Sequence, residues 1–225
     1  MKKALIVMAK RPFPGRTKTR LCPPLSHEEA ALLYENFLKD TLANVRTLPG
    51  VTPFVAWAPE GELAYFQRLA PGFDLILQQG DSLGARLDAA LAFCSQQGFQ
   101  QVAAVSSDAP SLPAVFLQQA FAYLDEPDCD VVLGPCQDGG YYLIGWKQPH
   151  PRLVTEVPMS TKTVLQDTLR LAEDEQLRSR LLPAWYDIDE FSDVARLIAD
   201  LESASEVGAH TRHFLRNHLN DRGLE

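Results

Sequence analysis

Four short apolar runs, Lys3–Ala9 (KALIVMA), Val51–Trp57, Phe73–Leu77 and Gln101–Ser106, recur along the first half of the chain with amphipathic stretches between them. Continuous apolar runs of this length form strands buried on both faces, and strands alternating with helices close into a mostly parallel sheet through right-handed crossovers. That pattern predicts an α/β fold: a single-domain, mostly parallel mixed sheet flanked by helices. The helical stretches carry their own signals. Ser26 followed by Glu29 reads as a capping box, with Ala30, Leu33, Phe37, Leu38, Leu42 and Val45 at helical spacing behind it as far as Leu48. Helices are also predicted from about Glu60 to Leu69, from Asp81 or Ser82 onward, over Pro113–Leu124 with Pro113 at the first helical position, over Met159–Leu182, over Ser192–Leu201 and over His210–Leu219. Asp130–Gly134 and Tyr141–Trp146 read as an antiparallel excursion from the sheet, and Ala184–Ile188 as its last strand.

A chain of 225 residues with 46% hydrophobic residues builds one large core, and no stretch reads as a linker between two. We expect one α/β domain over residues 1–205 and a helical tail over 206–225. The amino-terminal MKKALIVMAKRP has too short an apolar part and no small-residue cleavage site, so it reads as a strand rather than a signal peptide. No run approaches the roughly 18 apolar residues of a membrane span. The four cysteines (Cys22, Cys94, Cys129, Cys136) form no CxxC pair and no zinc-finger spacing, which predicts reduced thiols in a cytoplasmic protein. A formal net charge of -8 argues against general nucleic-acid binding and points to a small anion met by a local basic patch. Oligomeric state is not legible at this level.

That basic patch follows the first strand. Residues 8–21, MAKRPFPGRTKTRL, hold five basic residues (Lys10, Arg11, Arg16, Lys18, Arg20) and no acidic one. In open α/β sheets ligands bind beyond the carboxyl ends of strands, which raises this loop above a solvated connection with chance charge. Gly15 permits close backbone approach, and Arg16, Lys18 and Arg20 are suited to phosphate oxygens. The spacing is not that of a Walker A loop.

Acidic residues end two other apolar runs. Asp108, in Ser106-Ser107-Asp108-Ala109-Pro110, offers a carboxylate through which a hard divalent cation bridges to phosphates; a turn or capping role is the alternative. Asp187 and Asp189 alternate onto one side of their strand and suit the same ion, with capping of the next helix as the alternative. Magnesium with nucleotide phosphates satisfies all three loops. Gly80, Gly84 and Arg86 offer anion contacts or a plain loop with a helix cap, and Gln137–Tyr142, with Asp138, Gly139, Gly140 and Tyr141, reads as the wall of a substrate pocket or as a hairpin turn.

The order of motifs, A-K-x-P-x-P-G-x-x-K-T-R-L, L-G-x-R-L, S-S-D-x-P-x-L, D-G-G-Y-Y-L-I-G and a late D-I-D, resembles a bacterial family designated as glycosyltransferases and associated with arsenosugar-type and radical-SAM gene neighbourhoods. It is more distantly similar to phospholactate guanylyltransferases and molybdenum cofactor nucleotidyltransferases. The resemblance spans Ala4 to about Asp193. It implies the nucleotide-diphospho-sugar transferase (GT-A, Rossmann-like) fold and a Mg²⁺- or Mn²⁺-dependent transferase acting on a nucleotide or nucleotide sugar and a small-molecule acceptor. Carried over position by position, it implies Lys10, Gly15, Arg16, Lys18 and Arg20 at phosphate, Gly84 and Arg86 near the nucleoside, and Asp138, Gly139, Gly140 and Tyr141 near the acceptor. It further implies metal ligation by Asp108 and Asp189 with Asp187 beside it, and catalytic roles for Lys18, Asp108 and Asp138. The central loop lacks the D-x-D of many glycosyltransferases, and Glu190-Phe191 stands where many relatives have Thr-Pro. Three functions follow: nucleotidyl transfer with pyrophosphate release, favoured by five cations in one loop; glycosyl transfer from a nucleotide sugar with Asp138 as base; and a nucleotide-binding regulator without catalysis.

Overall fold

The structure, a computed structural model, describes residues 1–203 and 207–218. Among the described residues seven strands form one sheet in the order β3-β2-β1-β4-β6-β5-β7. They are β1 (Lys3–Lys10), β2 (Val51–Ala58), β3 (Asp74–Leu77), β4 (Gln101–Ser106), β5 (Val131–Pro135), β6 (Tyr141–Trp146) and β7 (Ser179–Leu181). Only β6 runs against its neighbours, pairing antiparallel with both β4 and β5. The α/β class and the mostly parallel mixed sheet are therefore as the sequence pattern predicts.

Strand alternation sends successive residues to opposite faces, and β1 shows it: Leu5, Val7 and Ala9 join one apolar cluster while Ala4 and Ile6 join another. The first cluster lies under α1 (His27–Arg46), α2 (Leu63–Leu69), α4 (Ala114–Asp125), α7 (Phe191–Ser203) and α8 (Ala209–His218). The second lies under α3 (Leu83–Gln96), α5 (Arg152–Thr155) and α6 (Val164–Asp174). Phe37, Leu33 and Leu38 on α1 are fully buried, each stabilising the fold by about 1.5–3 kcal/mol relative to exposure. The capping box at Ser26 is formed in both directions, with Glu29 N donating to Ser26 Oγ at 3.1 Å and Ser26 N donating to Glu29 Oε2 at 2.8 Å.

Three predicted elements differ. Pro113 is the N-cap of α4, with ψ of 132°, rather than its first helical residue. The helix expected over Met159–Leu182 is only α6, because Ser160 and Gln176 adopt positive φ (64° and 60°), a conformation that stops a helix at either end. The chain beyond Gln176 becomes the edge strand β7. Ala184–Ile188, expected as the last strand, is extended but makes a single bridge, Trp185 to Cys136, since its neighbour β5 ends at Pro135.

The predicted division at 205/206 falls among residues 204–206, outside the described residues, as do 219–225. The helix beyond that division packs on α1, where the buried carboxylate of Asp40 accepts from the backbone N–H groups of His210 (2.9 Å) and Thr211 (2.8 Å). An anionic side chain thus caps the start of α8 from another helix. Among the described residues no helix is long and apolar enough to cross a membrane, and all four cysteines are free thiols.

Candidate functional site

Because β1, β4, β5 and β7 run parallel and β6 returns against them, the segments 11–21, 106–112, 136–140 and 182–189 all lie at one edge of the sheet, with the 78–82 loop after β3 beside them. The basic loop is folded by its own backbone. Arg16 N and Thr17 N both donate to Phe13 O, Thr17 Oγ1 accepts from Phe13 N, and a 3-10 turn over Thr19–Leu21 sinks Leu21 into the core. Between these anchors Lys18 adopts the left-handed conformation, φ 48° and ψ 41°. For a lysine that costs about 1–2 kcal/mol, and the turn uses it to aim the side chain inward.

The Lys18 ammonium lies 2.6 Å from Asp108 Oδ1 and 2.8 Å from Asp189 Oδ1, with its side chain 9% exposed. Burial by itself lowers such a group, yet the two carboxylates more than offset this and hold it above the ordinary lysine range. The partner residues are fixed in turn. Ser106 Oγ donates to Asp108 Oδ2 and accepts from Asp108 N, both at 3.1 Å. Ser107 Oγ donates to Met8 O and bonds the Tyr34 hydroxyl at 2.8 Å, tying α1 to the ends of β1 and β4. Burial and the charge of Asp108 push the Tyr34 hydroxyl up to about 12, so it stays neutral. On the far side, Ile188 N donates to Asp108 O at 3.0 Å, which sets Asp189 opposite Asp108. Helix capping does not occupy Asp189, because Asp193 Oδ2 accepts from both Asp189 N and Glu190 N.

Asp187 faces the same edge, since Tyr186 and Ile188 alternate into the core. Its carboxylate gathers with Asp138 and the Cys136 thiol, one donor atom from each within 4.8 Å of the others, rather than joining the pair around Lys18. Burial and then the charges of Asp189 and Asp138 raise the Asp187 carboxyl to about 6. Burial and then the charges of Asp187 and Asp138 push the Cys136 thiol up, so it is protonated near neutrality. Cys136 carries no spacing signal in the sequence; the end of β5 brings it to this edge and its bridge to Trp185 sets it beside Asp187.

The remaining predicted residues divide by environment. Lys10, Gly15, Arg16 and Arg20 are exposed, and the three cations among them make no ion pair among the described residues. Arg11 is engaged within the protein. It pairs with Glu62 and lies over the rings of Phe13 and Tyr65, so the basic loop presents fewer free cations than its composition. Arg86 Nε donates to Gly80 O at 2.9 Å, closing the loop before α3. Gly84 is explained by packing: an added Cβ would sit 1.9 Å from Val154 O. Asp138 is exposed and its Oδ1 accepts from Gly140 N at 2.8 Å. Gly139, at φ 94°, meets the backbone of residue 162, a contact that brings the 158–163 loop to the pocket wall without a sequence signal. Tyr141 bonds Met159 Sδ at 3.7 Å, so its hydroxyl faces that loop.

The fold, with this sheet order, matches that of nucleotide-diphospho-sugar transferase structures. Residues 41–161 match a family described as an uncharacterized protein conserved in bacteria (DUF2064), and the chain belongs to that family. No curated protein matches the chain. It is similar to a Desulfovibrio desulfuricans G20 protein provisionally assigned as a nucleotide-diphospho-sugar transferase, with 29% identity over 98% of this chain and 95% of that one and a TM-score of 0.89. At the level of fold it resembles CMP:2-keto-3-deoxy-manno-octonic acid synthetase complexed with CTP (11% identity, 89% of this chain and 99% of that one, TM-score 0.58). It also resembles glucosyl-3-phosphoglycerate synthase from Mycobacterium tuberculosis in complex with Mn²⁺, UDP and glucosyl-3-phosphoglycerate (12% identity, 89% and 78%, TM-score 0.53).

Proposed function

We propose that this protein is a metal-dependent transferase that binds a nucleoside triphosphate or nucleotide sugar at the carboxyl edge of its sheet and transfers a nucleotidyl group to a small-molecule acceptor. The observation that carries the reading is the meeting of Lys18 with Asp108 and Asp189, brought together from 171 residues apart beside three exposed cations. Asp108 and Asp189 supply hard carboxylate oxygens around one point, the donor chemistry that Mg²⁺ or Mn²⁺ takes. Bound there, the ion neutralises charge on the nucleotide phosphates.

Lys10, Arg16, Lys18 and Arg20 then hold phosphate oxygens, and their positive charge grows in value as negative charge builds on the leaving group. In nucleotidyl transfer an acceptor phosphate oxygen bonds to the α-phosphorus, the bond to pyrophosphate breaks, and no obligatory base is needed. Of the five loop cations, Arg11 is paired with Glu62 and Lys18 with Asp108 and Asp189, which leaves Lys10, Arg16 and Arg20 without an ion pair among the described residues.

A second reading rests on Asp138 and Asp187. An exposed carboxylate held by Gly140 N, next to a carboxyl raised to about 6, suits removal of a proton from an acceptor hydroxyl. In glycosyl transfer that hydroxyl attacks the anomeric carbon and a nucleoside diphosphate leaves. The loop motifs' resemblance to glycosyltransferases of arsenosugar-type and radical-SAM gene neighbourhoods favours this second reading, and that to phospholactate guanylyltransferases and molybdenum cofactor nucleotidyltransferases favours the first. Four free thiols suit a cytoplasmic setting for either.

Incubation with Mg²⁺, a panel of nucleoside triphosphates and nucleotide sugars, and phosphorylated or hydroxylated acceptors separates these by product. Pyrophosphate release establishes nucleotidyl transfer, nucleoside diphosphate release from a sugar nucleotide establishes glycosyl transfer, and saturable binding with neither product establishes a regulator.

A further inference from the structure

We propose that Lys18 is the resident counter-ion of the metal seat: its ammonium holds the point between Asp108 and Asp189, and a divalent cation takes that point only as nucleotide phosphate draws the ammonium onto itself. This rests on the reading above that the two carboxylates are the metal ligands. The geometry makes the two cations exclusive. Oxygens 2.6 and 2.8 Å from one nitrogen define a position at which Mg²⁺ or Mn²⁺ would take the same oxygens at about 2.0–2.6 Å. A metal and an ammonium do not share that position.

Charge sets the direction of the exchange. Asp108, Asp189, Asp187 and Asp138 crowd one edge, and Lys18 is the cation embedded among them. A metal arriving alone must expel a buried ammonium that has nowhere favourable to go. Phosphate supplies that place. The loop backbone is held by the Phe13 and Thr17 hydrogen bonds and by Leu21, so the movement is confined to the four-carbon stem. A lysine suits it, being a point charge with rotatable donors where arginine is a rigid fork. Arg16 and Arg20, exposed on the same loop, mark where the phosphate lies. Metal and phosphate therefore bind with positive, reciprocal coupling.

The test is Mn²⁺ binding by equilibrium dialysis and by loss of the free Mn²⁺ electron paramagnetic resonance signal, on wild type, Lys18→Met and Lys18→Arg, each checked for native circular dichroism. Lys18→Met binds Mn²⁺ alone about tenfold more tightly than wild type, Lys18→Arg does not, and adding Asp108→Asn to Lys18→Met abolishes the gain. Lys18→Gln repeats the gain should the methionine variant fail to fold. Inorganic pyrophosphate as phosphate probe raises protein-bound Mn²⁺ on wild type about tenfold and on Lys18→Met about twofold at most. Asp108-dependent Mn²⁺ binding that is no tighter in either neutral variant overturns the exchange and leaves the transferase reading standing. Mn²⁺ binding by no variant, with or without pyrophosphate, overturns both.

Discussion

Gly139→Ala tests whether the glycine-rich wall of the site is held by backbone contact, and Gly15→Ala is its control. Both glycines have positive φ, 94° and 73°, so both substitutions incur backbone strain of about 1–3 kcal/mol. They differ in space. An alanine Cβ at 15 meets nothing within 4 Å, whereas at 139 it falls 1.9 Å from the carbonyl oxygen and 2.7 Å from the carbonyl carbon of Lys162. These are backbone atoms and cannot rotate away, so the 158–163 loop must shift, adding about 1–3 kcal/mol of overpacking. Urea denaturation is expected to find Gly139→Ala less stable than Gly15→Ala by that increment at unchanged m-value. Leu165 N donates to Gly139 O at 3.0 Å at the start of α6, so hydrogen exchange at Leu165 quickens in Gly139→Ala alone. Variants that unfold within about 0.5 kcal/mol of each other, with Leu165 equally protected, would refute the contact.

Three further outcomes are expected. Burial and then the charges of Asp189 and Asp138 push the Asp187 carboxyl up to about 6 from 3.8, so its ionisation costs stability progressively as pH rises between these values; in chelator, Asp187→Asn raises Tm at pH 8 and leaves it nearly unchanged at pH 3. Asp40→Ala removes the acceptor of two helix-start N–H groups and destabilises the protein by about 2–4 kcal/mol in denaturant titration, with exchange at Thr211 accelerated. Arg11→Met leaves nucleotide affinity within about twofold by calorimetry, because Glu62 and two rings hold that guanidinium, while Arg16→Met weakens it about tenfold.

Much of the sheet was legible because β1, β2 and β4 are buried on both faces and their apolar runs announce it. The capping box at Ser26 and the antiparallel return of β6 were legible for equally local reasons. What failed was non-local or polar. Strand β7, Ser-Arg-Leu, has no apolar alternation because it is an exposed edge, where Arg180 pairs with Asp128 and the preceding Arg178 with Asp130. Gln176 ends α6 by a positive φ that its residue type does not advertise. In the site, composition shows five basic residues but not that Glu62 removes Arg11 from the count, nor that Lys18 lies on carboxylates rather than in solvent. Gly84 also meets a packing requirement that no sequence signal carries, since an added Cβ would fall 1.9 Å from Val154 O.

The most direct test of the account is anomalous diffraction from crystals grown with Mn²⁺ and a nucleoside triphosphate. The expected result is a manganese peak between Asp108 and Asp189, triphosphate over the 10–20 loop, and the Lys18 ammonium on phosphate. Manganese at another place, or nucleotide away from this edge with Lys18 still on both carboxylates, would contradict it.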